Sequence, residues 1–325
     1  MTIKWGILGA GRIAKKFAAD FKVVTEGDII AVGSRSKDRS NQFANEFGIA
    51  NAYSSYEEML KNENIDVVYV ATPHNFHLEH AQLCLHAGKS VLCEKPVTVN
   101  SSEFDILQKL AKEKNLFFME AIWTYYLPAI IQAMQWIKEG KIGSVKQVQV
   151  SFGFRGDMDK KERLANPNLA GGALLDIGIY GIAIAELVFD EEVEKIQAIA
   201  NFSETGIDAS NSIQLQYKNG GMAQISSSLV AELKNEAIIY GDKGRIEIPR
   251  FWMAKSAILV TENEHLEFND ETPQMGYNHE ADAVNNLIKN AKKESPVIPL
   301  VKSKKILSLM DKVREQIGLK YPFEA

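Results

Sequence analysis

From Ile3 to Met119 the chain alternates short apolar runs with stretches whose apolar residues recur on one helical face. Ile3 to Leu8, Ile29 to Val32, Val67 to Ala71, Ser90 to Cys93 and Phe117 to Met119 suit strands buried on both faces. Helices are predicted over Arg12 to Phe21, Asn41 to Phe47, Tyr56 to Leu60 and Phe76 to Ala87, with Gly88 placed to end the last. Asn100 with Glu103 forms a helix-capping pair ahead of the stripe Phe104, Leu107, Leu110 and Ala111. The polar stretch Gly33 to Arg39 is read as a loop. Such alternation calls for a parallel sheet covered on both faces.

The rhythm changes after Val145. Strand-like runs follow at Val145 to Phe152, Ile196 to Phe202, Ile213 to Tyr217, Ala223 to Ser228, Ala237 to Tyr240, Arg245 to Ile248 and Ala257 to Val260. Asn219-Gly220-Gly221 and Gly241 to Gly244 are turn signals between strands, and hairpins of this kind imply an open antiparallel sheet. One long helix, Gly172 to Phe189, interrupts the series, and Glu280 to Lys292 and Val301 to Ile317 return to helix. The expected fold is α/β: a doubly wound Rossmann domain over residues 1–123, then an α+β domain over 124–325. The terminal helices are free to pack back on the first domain.

Composition narrows the class. Of 325 residues 46% are hydrophobic and 24% charged, an ordinary globular balance in a chain too long for one simple core. A formal net charge of −5 without any long basic run argues against nucleic acid as a partner. The beginning lacks the apolar run of a signal peptide. No stretch approaches the roughly 20 apolar residues that cross a bilayer; the most apolar, Ala173 to Phe189, contains Asp176 and Glu186 and reads as a buried helix. No membrane partner is expected. Cys84 and Cys93 have no CxxC spacing and read as free thiols of a reducing cytoplasm.

Gly9-x-Gly11-x-x-Ala14 lies between a predicted strand and a predicted helix, the context that gives a bare glycine pattern meaning. Gly9 permits the tight turn, Gly11 lets the backbone approach a pyrophosphate, and the small Ala14 keeps the helix near the sheet. The helix N-terminus then offers free N–H groups to the phosphates. The second strand ends Val32-Gly33-Ser34-Arg35, with Lys37 and Arg39 close by, where an NAD-binding chain places a carboxylate for the ribose 2′-hydroxyl. Cations without that carboxylate favour a 2′-phosphate. NADP is expected, with NAD as the alternative cofactor and a plain solvated loop as the competing reading.

Three residues carry candidate chemistry. Lys95 precedes Pro96 at the carboxyl end of a predicted strand, where open α/β sheets bind ligands. Asp176 is the only charged residue between Arg163 and Glu186, and a buried carboxylate requires a counter-charge. Tyr180 follows four residues later on the same predicted helix face, and Gly171, Gly172, Gly178 and Gly181 let something come close. Reducing a carbonyl needs a proton donor at the oxygen, and the reverse reaction needs a base. A tyrosine serves when a lysine ammonium stabilises its phenolate. Lys95 and Tyr180 fit that arrangement, with Asp176 orienting a substrate hydroxyl or the lysine; a surface lysine and a core tyrosine are the plainer alternatives. His74, His77, His80 and Cys84 invite a zinc reading, but they share one loop and helix without remote ligands, so no metal is expected. The Pro73 to His77 loop is placed beside the nicotinamide instead.

Together Gly6-Ile-Leu-Gly-Ala-Gly-Arg-Ile-Ala14, Ala71-Thr-Pro-His-Asn-Phe-His77, Glu94-Lys-Pro96, Met119-Glu-Ala-Ile-Trp123 and Gly171-Gly-Ala-Leu-Leu-Asp-Ile-Gly-Ile-Tyr180 are specific. With them the chain resembles, over essentially its whole length, the Gfo/Idh/MocA oxidoreductases. Within these it is similar to the dimeric dihydrodiol dehydrogenase and NADP-dependent D-xylose 1-dehydrogenase branch. The resemblance implies a Rossmann domain followed by an α/β domain whose large open sheet pairs subunits into a homodimer or homotetramer. It implies that Lys95 is the catalytic lysine, Asp176 the aspartate near the substrate and Tyr180 the proton donor. It places Gly9, Gly11, Arg12, Ile13, Ser34, Arg35, Arg39, Ala71, Thr72, Pro73, Asn75, His77, Glu94, Lys95 and Trp123 against the cofactor.

Two departures matter. Polyol-type relatives have histidine where this chain has Tyr180, which points away from an inositol dehydrogenase. Relatives read Glu-x-x-x-x-Arg-x-x-Pro, whereas here Glu120 is followed by Tyr125 and Pro128, so that guanidinium is not carried over. The leading expectation is an NADP-dependent dehydrogenase of a small sugar, polyol or vicinal diol. The same machinery acting on another sugar derivative or an imine, and an NADP-binding regulator without turnover, are the alternatives.

Overall fold

The structure is a computed structural model that describes residues 2–324. It divides into two compact units, Met1–Trp123 with Pro273–Lys305 and Thr124–Thr272 with Ile306–Ala325. In the first, strands β1 (Ile3–Leu8), β2 (Gly27–Gly33), β3 (Asn51–Tyr53), β4 (Val67–Val70), β5 (Ser90–Glu94) and β6 (Phe118–Ala121) form one parallel sheet in the order β3-β2-β1-β4-β5-β6. That is the doubly wound order of a Rossmann fold. Helices α1 (Arg12–Asp20), α2 (Lys37–Phe47), α3 (Tyr56–Leu60), α4 (His77–His86) and α5 (Ser101–Glu113) link the strands. β4 and β5 are buried at every position, as strands covered on both faces must be.

Local chemistry sets the helix ends. Asn100 accepts from the Glu103 amide at 2.9 Å while the Glu103 carboxylate reaches back to the Val99 amide at 3.2 Å, so the capping pair forms. α2 starts earlier than its apolar pattern indicates, because Ser36 caps it by accepting from the Arg39 amide at 3.4 Å. Arg39 therefore belongs to the first turn of a helix, not to the loop.

The second unit holds α6 (Pro128–Lys138), β7 (Val145–Gly153), a π-helical turn Leu174–Gly178 leading into α7 (Ile179–Phe189), β8 (Val193–Phe202), β9 (Asp208–Tyr217), β10 (Met222–Ser228), β11 (Glu236–Gly241), β12 (Gly244–Pro249), β13 (Ser256–Thr261) and β14 (His265–Asn269). The strands make one sheet ordered β14-β13-β12-β11-β7-β10-β9-β8, antiparallel throughout except for the parallel pair β7 and β10. α7 packs on one face: a side chain at Gly181 would strike Ile225 of β10, and Tyr125 donates its hydroxyl to the Ala183 carbonyl at 2.6 Å. The stretch Pro167–Phe189 is in fact long and apolar enough to cross a bilayer, but 83% of its most apolar window is buried inside the protein. Half-buried Gln149, Ser226, Glu236 and Ile238 lie together on the sheet, where Gln149 accepts from Tyr240 and pairs with Gln224.

The last helices are α8 (Tyr277–Lys289) and α9 (Leu300–Ile317). α8 belongs to the first unit, so the stretch read as one domain over 124–325 is interrupted by Pro273–Lys305. Buried Asp20 accepts from the Met275, Gly276 and Tyr277 amides at 2.8–3.1 Å, which caps α8 and satisfies its free N–H groups. Trp5 donates its indole N–H to Asn285 at 2.8 Å.

Candidate active site

The turn after β1 is shaped for a dinucleotide. Gly9 has φ 105°, and a side chain there would strike the Ala71 carbonyl and Thr72. Gly11 caps α1 without any side-chain hydrogen bond, and a Cβ on it would meet nothing nearer than the Ala71 oxygen at 3.9 Å. The start of α1, with Arg12 exposed and Ile13 half-buried, is thus an open helix N-terminus suited to a pyrophosphate. Asn75 Oδ1 is buried with no hydrogen-bond partner among the described residues, an orphan acceptor that a bound ligand would satisfy.

At the end of β2, Arg35 lies 5.5 Å from the Phe76 ring centroid and lines a cavity with Tyr56, Phe76 and His80. Ser34 is buried and accepts from the Ser36 amide, and Arg39 is exposed one turn into α2. Among the described residues no acidic side chain follows β2 before Asp38, although Glu57 and Glu79 line the same cavity as Arg35. Burial, with Arg35 nearby, pushes His80 down to about 4; its Nδ1 lies 2.9 Å from Thr72 Oγ1.

His77 has a different part from the one its motif implies. It is fully buried, with its two ring nitrogens each 2.7 Å from a carbonyl oxygen, those of Thr72 and Pro96. It lies between the loop after β4 and the loop after β5. Both of its nitrogens face carbonyl oxygens, and His80 Nδ1 faces Thr72 Oγ1. Among the described residues no group of three or more His, Cys, Asp or Glu could hold a metal.

Lys95 is 9% exposed, at the end of β5, and its bond to Pro96 is cis. Buried acids surround this turn, and of these Glu120 and Glu280 are not among the site residues expected from the sequence. Glu94 accepts the Tyr69 hydroxyl. Glu120 accepts from the Val97 amide at 3.0 Å and is pushed up to about 7 by burial, with the nearby Lys95 charge acting against the rise. Glu280 of α8 is wholly buried; desolvation first, then the Glu94 charge, hold its carboxyl well above the usual range. Trp123, 2% exposed, stacks on Tyr277 at 4.3 Å between ring centroids.

In the second unit the counter-charge demanded by Asp176 is Arg163, whose Nη2 lies 2.8 Å from Oδ1. Asp176 sits on the π-helical turn, where the wider winding breaks the simple four-residue spacing to Tyr180. Tyr180 is 8% exposed with its ring 6.0 Å from Phe152, which stacks on Trp252 at 3.8 Å. Tyr125, the departure from the family pattern, is buried against α7 and spends its hydroxyl on Ala183. The glycines admit the protein's own chain: Gly171 faces the Arg163 and Leu164 carbonyls, and Gly172 faces Asp208. Lys95 stands in the first unit, and Asp176 and Tyr180 stand in the second.

A Rossmann sheet with an open phosphate turn, followed by a large mostly antiparallel sheet with buried Tyr180 on the helix packed against it, defines an NAD(P)-dependent oxidoreductase. Residues 3–122 match the oxidoreductase family GFO_IDH_MocA with its NAD-binding Rossmann fold, and residues 130–247 match the GFO/IDH/MocA C-terminal domain. Trans-1,2-dihydrobenzene-1,2-diol dehydrogenase of Mus musculus is 36% identical over 333 residues, covering 99% of each chain. The Bos taurus enzyme of that name is 36% identical over 335 residues, again 99% of each. The chain belongs to the GFO/IDH/MocA oxidoreductase family. Among solved structures, aldose-aldose oxidoreductase from Caulobacter crescentus complexed with glycerol shares the fold with a TM-score of 0.90 at 22% identity over 98% of each chain. A 3-ketoreductase from Actinomadura kijaniata in complex with NADP and TDP-benzene gives 0.89 at 24% identity, also over 98% of each.

Proposed function

We propose that this chain transfers a hydride between NADP and a small vicinal diol or sugar, with Tyr180 as the proton-handling group. The observation that carries the reading is Tyr180 itself, 8% exposed beside Phe152 and Trp252, with the Asp176–Arg163 pair on the same stretch of chain. Aromatic faces suit a ring, and a paired carboxylate suits an adjacent hydroxyl. Relatives named for a dihydrodiol support the diol, and D-xylose belongs with the sugars to be tried.

Gly11 and the start of α1 hold the pyrophosphate, and Arg35 with Arg39 hold the 2′-phosphate. Bound NADP supplies the hydride acceptor at nicotinamide C4. In the oxidative direction the substrate C–H bond gives up a hydride, its hydroxyl proton passes to Tyr180 Oη, and a carbonyl forms; in reduction Tyr180 returns the proton. Asp176, held by Arg163, accepts from the neighbouring hydroxyl, and Lys95 is carried as the catalytic lysine that the family resemblance implies.

Tyr180→Phe and Lys95→Met should each lower kcat by at least about a hundredfold, the usual worth of one acid–base group. NADP binding should change little in Tyr180→Phe. The assay uses trans-1,2-dihydrobenzene-1,2-diol, D-xylose, D-glucose and myo-inositol, each with NADP and NAD. Near wild-type rates in both variants overturn the assignment, and equal or better kinetics with NAD overturn the cofactor preference. We also infer a homodimer or dimer of dimers through the sheet surface around Ile238, and a reducing, cytoplasmic setting supported by the buried, unpaired Cys84 and Cys93.

A further inference from the structure

Asp208, at the start of β9, is completely buried and reaches across to the turn that precedes α7. Its Oδ2 accepts from the Leu174 amide at 2.8 Å and from Asn211 Nδ2 at 2.9 Å. Oδ1 is buried without a hydrogen-bond partner among the described residues. It presses on Gly172, whose φ of 122° favours glycine and whose missing Cβ would collide with that oxygen. On the other side of the same turn, Tyr321 donates its hydroxyl to the Gly171 carbonyl at 2.8 Å. The titratable groups facing Asp208 are the charged Arg314 of α9, itself paired with Glu324, and the neutral hydroxyl of Tyr321. Leu174 opens the π-helical turn that bears Asp176, and Tyr180 follows directly in α7.

We infer that Asp208 is a positioning residue for the reaction: its carboxylate pins the first amide of the segment from which Asp176 and Tyr180 project. This rests on the proposed role of Tyr180. An ionised acceptor makes the stronger bond to a helix N-terminal amide, and a π-helical turn with glycines on either side has little stiffness of its own. Burial first pushes Asp208 up from 3.8 to about 6, opposed by the bonds from Asn211 and Leu174. A folded-state value above the unfolded one means that stability is lost as pH rises from about 4 to about 6. At neutral pH the ionised group is therefore kept at a cost in stability. A group serving structure alone would not be expected to carry that cost.

The test compares Asp208→Asn, Asn211→Ala and Tyr180→Phe with the wild type, from pH 5 to 8. Activity is read with NADP and trans-1,2-dihydrobenzene-1,2-diol or D-xylose. Amide hydrogen exchange over residues 172–180, corrected for intrinsic rates, is measured alongside. Asp208→Asn keeps an acceptor for both bonds but loses the charge. It should lower kcat at pH 8 about tenfold, the difference between a charge-assisted and a neutral hydrogen bond, with KM for NADP unchanged. Its melting temperature at pH 8 should equal or exceed that of the wild type, and residues 172–180 should exchange faster. The wild type should lose kcat below about pH 6, where Asp208 takes up its proton, and Asp208→Asn should lack that limb. Asn211→Ala removes a bond that favours the ionised form, so its acid limb should move to higher pH. A melting temperature that falls with kcat and exchange unaltered makes Asp208 a structural cap only, and an acid limb retained in Asp208→Asn overturns the inference outright. If Tyr180→Phe stays active while exchange in Asp208→Asn quickens, the proposed role of Tyr180 is what fails.

Discussion

Glu280 places a carboxyl in the interior of the first unit with neither oxygen hydrogen-bonded among the described residues and with Glu94 close enough to be felt. Such a group stays protonated rather than carry an unpaired charge. Its folded-state value lies above the 4.5 of the unfolded chain, so its contribution to stability is complete in acid and drains away as pH climbs from that value. Glu280→Gln, isosteric and neutral, should match the wild type in urea unfolding at pH 4 and exceed it at pH 8, the gap widening with pH. A variant equally weakened at both ends would show that Glu280 is charged and paired. The sequence points to Lys95 readily, since Glu94-Lys95-Pro96 closes an apolar run. Glu94 shares that motif and Glu120 opens another, but nothing in the pattern brings Glu280 to them, since it lies on a helix far along the chain. Arg163 was hidden in the same way: its pairing with Asp176 depends on the turn between them, not on spacing along a helix.

At the level of elements, the cap on α5 gives the cleanest forecast. Asn100→Ala removes the acceptor for the Glu103 amide and should cost about 1 kcal/mol. In a protein of this size that is a fall of roughly 1–2 °C in Tm, with kcat unchanged; a drop in kcat at constant Tm would contradict it. The parallel sheet is legible because strands buried on both faces write themselves as apolar runs: β4 is one throughout, β5 has Val91 to Cys93, and only Lys4 interrupts β1. β3 and β14 escaped notice, being short and partly or largely exposed, so neither face selects apolar residues strongly. α6 went unread behind Pro128, which occupies its first turn where a proline is tolerated. The parallel pairing of β7 with β10 in an otherwise antiparallel sheet leaves no trace in composition, since it depends on which strands meet. The π-helical turn is likewise silent in the residue pattern, yet it sets the angle between Asp176 and Tyr180.

For the whole molecule, the proposed subunit pairing makes Ile238 a sensitive position, half-buried on the sheet among Gln149, Ser226 and Glu236. Ile238→Asp should convert the oligomer to a monomer in size-exclusion chromatography with light scattering, because an unpaired carboxylate would have to be desolvated in each subunit. Circular dichroism should be unaltered, and a variant that keeps its oligomeric mass would rule out this face. The return of Pro273–Lys305 to the N-terminal unit has a consequence for how the protein is made. Asp20 finds its partners 255 to 257 residues later, and Trp5 finds Asn285 only after 280. At about 5–20 residues per second, a ribosome needs on the order of ten seconds to a minute to deliver them. During that interval the nascent Rossmann sheet lacks α8, so the indole N–H of Trp5 and the carboxylate of Asp20 wait without these partners. The unit that comes first in the gene is thus among the last to be completed, and early termination anywhere before α8 would leave it unfinished however much of it had been translated.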